Sequence, residues 1–492
     1  MDYLIAIDIG TSSTRSVAFS IDGKMLYNKS IPLSIESREA DWQEQDAAAI
    51  FRAVRKTMKK VVKKMGTPPM GASISAVMHS VLAVDEEGKA LTPMLIWADN
   101  RSEAYAAQLK DTRQGSDIYQ HTGTPIHPMS PLCKIAWWRE HEPAVFEQAY
   151  KFVGIKEYIL FHLFGHWLVD YSIASATGLF DNQKQEWYAP ALKFAGITSQ
   201  QLSEPVPTTF VLSDLKPEYA TQLALNENTP FVIGASDGCL ANLGALTLEQ
   251  GDVNITLGTS AAIRATSKKA VQDKSEQLFT YILTEDCYIT GGASNNGGMA
   301  YAWFSSHFLN KGWSKRKALK KIKKIRKTPA GADGLLFLPY LTGERAPVWD
   351  AQARGLFYGI SKIHTQTHFQ RAVLEGILYN VLQIGKALEA VTGEIHHICV
   401  NGGLAEVDTV MQLLADIFGK PAHRLDAEEG SAFGAFILGM KALGLIGDFA
   451  EAEKMVKVEK RFEPDAENHA IYQKQFAVFE RLYLAFKTLD DG

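Results

Sequence analysis

The fold of this chain is decided by the stretch Ile7-Asp8-Ile9-Gly10-Thr11-Ser12-Ser13, because a related stretch, Ile255-Thr256-Leu257-Gly258-Thr259-Ser260-Ala261, follows about half the chain length later. Each copy is a short apolar run that enters Gly-Thr-Ser and continues into a second β-prone run, Arg15 to Ser20 in the first copy and Ala262 to Thr266 in the second. This pattern predicts a strand, a tight Gly turn and a second strand in each copy. We therefore expect two related halves.

Both turns suit phosphate oxygens, because adjacent backbone amides form an anion-binding concavity and a glycine lets the ligand approach the backbone. One such turn alone is typical of any ordinary hairpin, but its repetition favours a pair of turns that clamp a polyphosphate. The copies differ at the position where chemistry should differ, because Asp8 in the first copy corresponds to Thr256 in the second. Only a carboxylate can help to hold the Mg²⁺ that accompanies a nucleotide, so the metal is expected on the first half.

The size and composition of the chain bound its class. Its 492 residues exceed the roughly 250–300 that one hydrophobic core supports, so two domains are expected, 1–244 and 245–492. With 46% hydrophobic and 22% charged residues and a net charge of −4, the composition is that of an ordinary globular protein. We find neither a targeting segment nor a run of ~20 apolar residues, which predicts a cytoplasmic protein that does not enter a membrane.

The four cysteines are scattered, without a CxxC motif or paired spacing, and are Cys133, Cys239, Cys287 and Cys399. This spacing fits neither a zinc site nor a disulfide framework, so reduced and mostly buried thiols are expected.

A basic run spans residues 311 to 327 and could in principle contact nucleic acid. Leu319, Ile322 and Ile325 recur within it at helical spacing, and its one aromatic residue, Trp313, lies at its start. These features favour a solvated helix with a narrow apolar stripe, so no nucleic-acid partner is expected.

Strand and helix patterns alternate along the chain, which is typical of an α/β protein. In the first half we predict helices at 46–64, 130–141 and 155–164, strands at 72–78 and 95–97, and a β-rich run at 230–234. In the second half we predict strands at 253–257, 288–290 and 398–400 and helices at 299–307, 369–387 and 409–418.

Two common phosphate motifs, the Walker loop and a GxGxxG that opens a helix after the first strand, do not occur. Phosphate binding therefore depends on the paired turns and on glycine clusters at predicted strand ends of the second half, which are Gly291-Gly292, Gly297-Gly298 and Asn401-Gly402-Gly403. Each cluster alone is as typical of a turn or a helix cap. Together they predict a nucleotide pocket in the second half.

Polar residues suited to a polyhydroxy ligand follow predicted strands of the first half, at Met78-His79-Ser80, at Trp97 to Arg101 and at His127. Individually such residues are more often structural. Asp237 is a stronger candidate, because it follows a β-prone run and has small neighbours that leave room for a ligand. A carboxylate placed there can accept a proton from a substrate hydroxyl.

The chain resembles the FGGY carbohydrate kinases along essentially its whole length. The resemblance is carried by Met129 to Trp138, by Gly355 to Ile360 with His368-Phe369 and Leu374-Glu375, and by Thr342 to Pro347 with Asp350. It implies two ribonuclease-H-like domains of the hexokinase/actin superfamily that flank a central cleft, with ATP as the phosphoryl donor.

The resemblance also implies roles for individual residues. Asp237 would be the catalytic base and Asp8 would hold Mg²⁺ through water. The implied ATP-binding residues are Thr11, Ser12, Ser13, Gly258, Thr259, Gly298, Gly402 and Gly403. The implied sugar-binding residues are Met78, His79, Asp99, Arg101 and His127.

Within the family, four segments are most similar to gluconokinases, namely 79–85, 97–101, 121–128 and 172–178. This similarity implies transfer of the ATP γ-phosphoryl group to the terminal hydroxyl of D-gluconate, which gives 6-phosphogluconate. A sugar acid needs a cation or hydrogen-bond donors for its carboxylate, and Arg101, His127 and Lys156 are the candidates.

Other functions stay open on the sequence alone. A pentulose kinase similar to xylulokinase is the alternative within the family. An actin-like ATPase that acts on protein partners, or a sugar sensor without catalysis, would use the same fold. A homodimer is kept as an assembly to be tested.

Overall fold

The computed structural model describes residues 2–309, 322–425 and 430–490, and in it the chain forms two compact units. The first unit comprises Met1–Leu246, Ser267–Ile289 and Glu429–Val456, and the second comprises Thr247–Thr266, Thr290–Glu428 and Lys457–Gly492. Each unit is therefore assembled from separated stretches of the sequence.

The first unit is built on a sheet whose strands lie in the order Val211–Leu212, Phe231–Ser236, Gly71–Ala76, Tyr3–Ile9, Ser13–Ser20, Met25–Pro32. The last three strands form an antiparallel meander. The first strand of the chain also pairs in parallel with Gly71–Ala76, which in turn pairs in parallel with Phe231–Ser236. Two antiparallel hairpins followed by parallel strands at the centre are the pattern expected of a ribonuclease-H-like core.

The sheet of the second unit repeats this strand order, with Cys287–Ser294, Ala261–Ser267, Asp252–Leu257, His397–Asn401 and Ala422–Leu425 as successive neighbours. Again the strands on either side of the Gly-Thr-Ser turn, Asp252–Leu257 and Ala261–Ser267, pair antiparallel, and Asp252–Leu257 pairs in parallel with His397–Asn401. The fourth and fifth are also parallel. The predicted duplication and the α/β fold class are both confirmed.

The first long helix, Ala47–Met65, illustrates why these elements form where they do. Asp46 caps its N-terminus by accepting from the Ala49 N–H (3.1 Å), and Gly66 ends it in the left-handed conformation. The predicted apolar side, Ile50, Val54, Met58 and Val61, is buried. Burial of each such side chain contributes about 1.5–3 kcal/mol, so packing of this face holds the helix on the sheet.

Helix Ile155–Phe164 has the bounds predicted from its apolar run. The Glu157 side chain, in the first turn, caps the N-terminus of this helix by accepting the Gly154 N–H at 2.6 Å. Burial raises the pKa of this carboxyl to about 7, since the protein around it disfavours the charged form. The cap therefore consists of a group whose charge changes close to neutral pH.

Helix Gly430–Ala442 lies late in the sequence but packs within the first unit. The Phe433 and Phe436 rings lie 5.6 Å and 5.1 Å from that of Phe19, on the second strand of the sheet. A Cβ atom added at Gly434 would lie 1.9 Å from the Leu240 carbonyl oxygen, so the backbones of two helices touch at this glycine.

The remaining helices of the first unit are Glu103–Leu109, Arg113–Thr122, Pro131–His141, Pro143–Gln148, Tyr171–Ser175, Ala189–Ala195, Pro217–Leu223 and Asp237–Gly244, with 3₁₀ turns at Ser199–Gln201 and Phe449–Met455. Its short strands pair as Glu44–Gln45 with Met94–Leu95, Leu82–Val84 with Lys151–Val153, Leu168–Asp170 with Glu204–Val206, and Phe180–Asp181 with Glu186–Trp187. A further strand is Phe279–Thr284.

The helices of the second unit are Gly298–Phe308, Gln366–Thr392, Asp408–Phe418 and Ala466–Asp490, with 3₁₀ turns at Lys323–Lys327 and Ala330–Gly334. Strand Val458–Phe462 pairs with Ala422–Leu425, and Leu336–Leu338 pairs with Leu356–Tyr358. The third helix is longer at the N-terminus than predicted by one residue. The second extends beyond the predicted 369–387 at both ends, because a capping box of Thr365 and His368 begins it earlier and Gly393 ends it later.

Several smaller predictions can be compared with the described residues. All four cysteines are free, and Cys287 alone among them is only half-buried. No helix in the described ranges is long and apolar enough to cross a membrane. Residues 311–321 of the basic run, with Leu319, lie outside the described residues, whereas Ile322 and Ile325 are buried.

Candidate active site

The turn at the start of the first unit has the predicted geometry of strand, glycine turn and strand. The Gly10 N–H donates to the Ser13 carbonyl oxygen (3.0 Å), which closes the turn. Thr11 is held from both sides, because its carbonyl oxygen accepts from Gln45 Nε2 (2.9 Å) and its hydroxyl accepts from the Trp97 indole (3.1 Å). Ser12 is exposed at the tip of the turn, and Ser13 is half-buried.

Asp8 precedes this turn and is almost fully buried. Its Oδ1 accepts from the Ser75 hydroxyl (2.7 Å), and its Oδ2 accepts from Arg15 Nε (2.9 Å) and the Ser431 hydroxyl (3.1 Å). Arg15 lies directly opposite on the second strand, and the equivalent pair in the second copy is Thr256 and Ala262. The charged pair thus belongs to the first copy only.

Among the described residues, no group of three or more His, Cys, Asp or Glu side chains could hold a metal ion. Because both oxygens of Asp8 accept hydrogen bonds, a contact with Mg²⁺ through water fits this carboxylate better than direct coordination. The metal role of Asp8 stays a prediction.

Met78 and His79 follow strand Gly71–Ala76, as expected. His79 has a left-handed backbone (φ +65°) and is buried. Its Nδ1 lies 2.7 Å from the Ala176 carbonyl oxygen and therefore carries a proton, while its Nε2 faces the Tyr281 hydroxyl at 3.4 Å. Met78 is half-buried against Val169 and Ile173 in a small apolar cluster.

Asp99 and Arg101 form a buried ion pair. Arg101 donates through Nε and Nη2 to both oxygens of Asp99 (2.8–3.1 Å) and through Nη2 to Glu44 Oε1 (2.7 Å). Its guanidinium carbon also lies 3.8 Å from the centre of the Trp42 ring. In this structure the Asp99 carboxylate therefore contacts protein groups, and direct contact of either residue with a sugar stays a prediction.

His127 lies in the loop before helix Pro131–His141 and is buried. Its Nδ1 accepts the Met129 N–H at 3.1 Å, so the neutral imidazole carries its proton on Nε2. A ring held in this way presents a hydrogen-bond donor.

Asp237 is the first residue of helix Asp237–Gly244, directly after the strand Phe231–Ser236. It is half-buried, and its Oδ1 accepts the Gly238 N–H at 2.8 Å. The helix N-terminus stabilises the ionised carboxylate, which is the form that can accept a proton. Ser236 caps the same helix and is itself held by Ser172 at 2.9 Å.

Lys156, one of the three candidates for the substrate carboxylate, lies close to Asp237 but is already paired. Its Nζ donates to Asp170 Oδ2 (2.7 Å) and to the Ala235 carbonyl oxygen (3.0 Å), and both side chains of the pair are fully buried. Burial lowers the pKa of Lys156, while Asp170 and the more distant Asp237 act in the opposite direction. Lys156 thus holds the backbone that leads into Asp237.

The second unit brings the predicted nucleotide-binding glycines together. The Gly298 N–H donates to the Gly258 carbonyl oxygen (2.8 Å), and the Met299 N–H donates to that of Thr259 (3.0 Å), so the helix N-terminus sits on the turn. A Cβ atom at Gly298 would lie 2.7 Å from the Gly258 oxygen. Gly402 and Gly403 begin the turn that is bonded back to the strand before Gly258, through the Leu404 N–H and the Leu257 carbonyl oxygen (3.1 Å).

Sequence reasoning missed two buried ionic residues that support these loops. Lys134 lies on helix Pro131–His141 with no exposed surface, and Glu344 is equally buried in the second unit. Glu344 accepts from the Ser294 hydroxyl (2.7 Å), the Asn295 N–H (2.7 Å) and the Arg345 N–H (2.8 Å). A charged residue within an apolar run, as in Leu132-Cys133-Lys134-Ile135-Ala136, was the signal available for Lys134.

Comparison with known proteins places this arrangement in a family. The N-terminal domain of the FGGY family of carbohydrate kinases matches residues 3–244, and the C-terminal domain of the same family matches residues 253–443. The gluconokinase of Bacillus subtilis is 39% identical over 490 residues, which cover 98% of this chain and 95% of that protein.

Two solved structures from Lactobacillus acidophilus share the fold, each with a TM-score of 0.94 and 32% identity. They are a gluconate kinase, with 99% of this chain and 98% of that chain covered, and a ligand-bound xylulose kinase, with 99% of each covered. The family matches span most of both halves, and the relatives align over nearly the full length. The chain belongs to the FGGY family of carbohydrate kinases, whose members use ATP as phosphoryl donor.

Proposed function

We propose that this carbohydrate kinase transfers the γ-phosphoryl group of ATP to the terminal hydroxyl of D-gluconate and so forms 6-phosphogluconate and ADP. The observation that carries the proposal is the 39% identity to a gluconokinase over 98% of the chain. The four segments similar to gluconokinases, which hold His79, Arg101 and His127, support the same substrate.

In the proposed reaction the terminal hydroxyl oxygen forms a bond to the γ-phosphorus while the bond from that phosphorus to the bridging oxygen of ADP breaks. Asp237 accepts the hydroxyl proton. A carboxylate of ordinary basicity cannot deprotonate a ground-state alcohol, but it can take the proton late, as the new bond forms. The helix N-terminus favours a negative charge at Asp237, and the Lys156 contact to the Ala235 carbonyl oxygen holds the end of the strand that precedes it.

The three candidates for the substrate carboxylate differ in the partners that the structure gives them. Arg101 and Lys156 each have a buried carboxylate as partner, at 2.8 Å and 2.7 Å. We propose that His127 donates to the gluconate carboxylate through Nε2, because its Nδ1 accepts the Met129 N–H at 3.1 Å and the neutral ring therefore carries its proton on Nε2. Asp99 and Arg101 stay proposed sugar-binding residues in the loop after strand Met94–Leu95.

On the nucleotide side, we propose that Gly258, Thr259, Gly298, Gly402 and Gly403 line the ATP site, and that Thr11, Ser12 and Ser13 approach the γ-phosphate. Backbone N–H groups at glycine turns and at the N-terminus of helix Gly298–Phe308 suit phosphate oxygens. Mg²⁺ would neutralise the phosphates and be held by Asp8 through water.

The first test is a coupled ADP-release assay with ATP, with and without Mg²⁺, on D-gluconate, D-xylulose, L-ribulose, glycerol and glucose. Turnover with gluconate alone, abolished when EDTA removes the metal, is expected. Preferred turnover of a ketopentose would contradict the proposed substrate and leave the kinase assignment intact. Activity that is unaffected by EDTA would contradict the metal.

A pentulose kinase is the second candidate, because the ligand-bound xylulose kinase matches this fold as closely as the gluconate kinase does. Two functions from other classes of protein are distinguished by the same assay. An actin-like ATPase would release ADP without any sugar, and a sugar sensor would bind sugar without releasing ADP.

The assembly and location of the protein are also proposals. A homodimer is to be tested by light scattering of the purified chain. The free thiols at all four cysteines, together with ATP as donor, favour the cytoplasm as location.

A further inference from the structure

Lys134 is a buried cation whose hydrogen bonds all go to loops of the candidate sugar site. Its Nζ donates to the carbonyl oxygens of Ile96 (2.7 Å), Met129 (2.8 Å) and His79 (3.0 Å). The side chain has no exposed surface. An ammonium group has three N–H donors, so these three carbonyl groups satisfy it completely.

The three carbonyl groups belong to three different loops. One follows strand Gly71–Ala76 and carries Met78 and His79. The second follows the short strand Met94–Leu95 and carries Asp99 and Arg101. The third precedes helix Pro131–His141 and carries His127. The five residues predicted to bind the sugar each lie within five residues of a carbonyl group bonded to Lys134, and they are Met78, His79, Asp99, Arg101 and His127.

The surroundings balance the charge of this ammonium group. Asp99 acts favourably on Lys134, and Arg101 acts unfavourably. Arg101 is itself paired with Asp99 and Glu44, so two cations and two carboxylates share this region. Burial nevertheless lowers the pKa of Lys134 to about 7. A neutral apolar residue at this position would avoid that cost, which indicates that the hydrogen bonds to the loops are what the lysine provides.

We propose that Lys134 is a positioning residue that sets the mutual geometry of the three sugar-binding loops, and so determines sugar affinity without touching the sugar. The proposal rests on the proposed function only in taking these loops as the sugar site. Without the ammonium group, three carbonyl groups lose their buried donor and the loops are no longer tied to one point. All three hydrogen bonds of Lys134 lie within the first unit, whereas the proposed ATP-binding glycines belong to the second.

The test compares Lys134→Met, which keeps the length of the side chain and removes the donors, with wild type. The sugar used is the one that wild type phosphorylates best, so failure of gluconate as substrate is seen separately, before any variant is made. KM for the sugar is expected to rise about tenfold or more, as for the loss of one charged hydrogen bond. KM for ATP should change by less than about twofold.

Thr57→Val is the matched control, because Thr57 is also fully buried in the first unit and its hydroxyl donates to the Val54 carbonyl oxygen at 2.9 Å on the first long helix. It should lower the melting temperature and leave both KM values unchanged. Lys134→Arg, which keeps the charge and the donors, should restore most of the sugar affinity. An unchanged sugar KM in Lys134→Met would overturn the proposal, as would equal rises in both KM values.

If Lys134→Met does not fold, the same comparison is made with Lys134→Gln, which keeps two N–H donors. A rise confined to the sugar KM supports the proposal. Failure of all three variants to fold would overturn it, because Lys134 would then act through folding of the unit and not through the sugar loops.

Discussion

Asp237 shows how a single residue combines local structure with chemistry. It ends a buried strand and begins a helix, and this position gives its carboxylate both a fixed place and a favourable field. Its neighbours Gly238 and Cys239 are buried, whereas Asp237 itself is only half-buried. A substrate hydroxyl can therefore reach it.

Asp237→Asn should lower kcat about 10²- to 10⁴-fold, the usual contribution of a general base, because the amide cannot accept the proton. Sugar binding, measured by calorimetry, should persist, since the amide keeps its size and one acceptor oxygen. Asp46→Asn is the control, because Asn caps a helix as well as Asp does. A kcat within about tenfold of wild type would exclude Asp237 as the base.

Gly298→Ala should weaken ATP binding. The added Cβ would lie 2.7 Å from the Gly258 carbonyl oxygen, so the helix N-terminus must move away from the turn. We expect an ATP KM about tenfold higher at an unchanged sugar KM.

Gly385→Ala is the matched control in the same unit. There the nearest atoms are the ends of the Phe418 and Ile263 side chains, at 3.2 Å and 3.4 Å, which can give way. Equal ATP KM values for the two variants would show that the turn and the helix N-terminus do not form the nucleotide site.

At the scale of the element, helix Ile155–Phe164 has a cap that titrates near neutral pH. The folded-state pKa of Glu157 is about 7, against 4.5 in the unfolded chain. The folded protein therefore binds this proton more tightly, and the stability associated with it is lost as the pH rises from 4.5 to about 7. Above pH 7 the carboxyl group is ionised in both states.

Glu157→Gln removes this titration. The unfolding free energy of the variant relative to wild type should rise between pH 4.5 and 7 by up to about 3 kcal/mol and stay level above pH 7. Urea unfolding at several pH values measures it. Glu147→Gln is the control, because Glu147 is exposed and its substitution should give a difference in unfolding free energy that does not change with pH. If the difference in unfolding free energy between variant and wild type is the same at every pH, Glu157 does not titrate with a raised pKa in the folded protein.

Elements of this kind were also the most predictable part of the fold. The helix at 155–164 and the hairpins around both Gly-Thr-Ser turns follow from patterns of a few residues, because apolar periodicity and glycine position act locally. The predicted bounds of strand 95–97 are wrong, because the strand in the structure is Met94–Leu95. The residues after it form the loop that carries Asp99 and Arg101. A turn stabilised by an ion pair with distant Glu44 leaves no local pattern.

At the scale of the whole molecule, the first unit depends on a helix from the far end of the chain. Helix Gly430–Ala442 packs on Phe19 and on the backbone near Leu240. A fragment of residues 1–246 lacks this helix, so its apolar surface would be exposed to water. We expect that fragment to aggregate or to melt without cooperativity, as followed by gel filtration and circular dichroism.

Gly434→Ala in the full chain tests the same contact without truncation. Its Cβ would meet the Leu240 carbonyl oxygen at 1.9 Å, so the two helices must separate, and a loss of about 1–3 kcal/mol or more is expected. A fragment 1–246 that melts cooperatively near the temperature of the full chain would contradict the dependence on the late helix.

The duplication, the α/β class, the position of many helices and strands and the residue types at the candidate site could all be predicted from the sequence. These features depend on neighbours within a few positions, which is the range over which side-chain periodicity and turn chemistry act. The family resemblance implied roles for Asp8 and Asp237. In the structure Asp8 lies near the end of one buried strand, and Asp237 directly follows another.

Only the tertiary structure decided which charges are already paired. Lys156 meets Asp170, Arg101 meets Glu44, and Lys134 meets three carbonyl groups, and each contact joins residues separated in sequence. It also decided that the helix at 430–442 belongs to the first unit. The physical reason is that a buried charge is stabilised by whichever partner the folded chain brings within about 3 Å, and sequence distance carries no information about that partner.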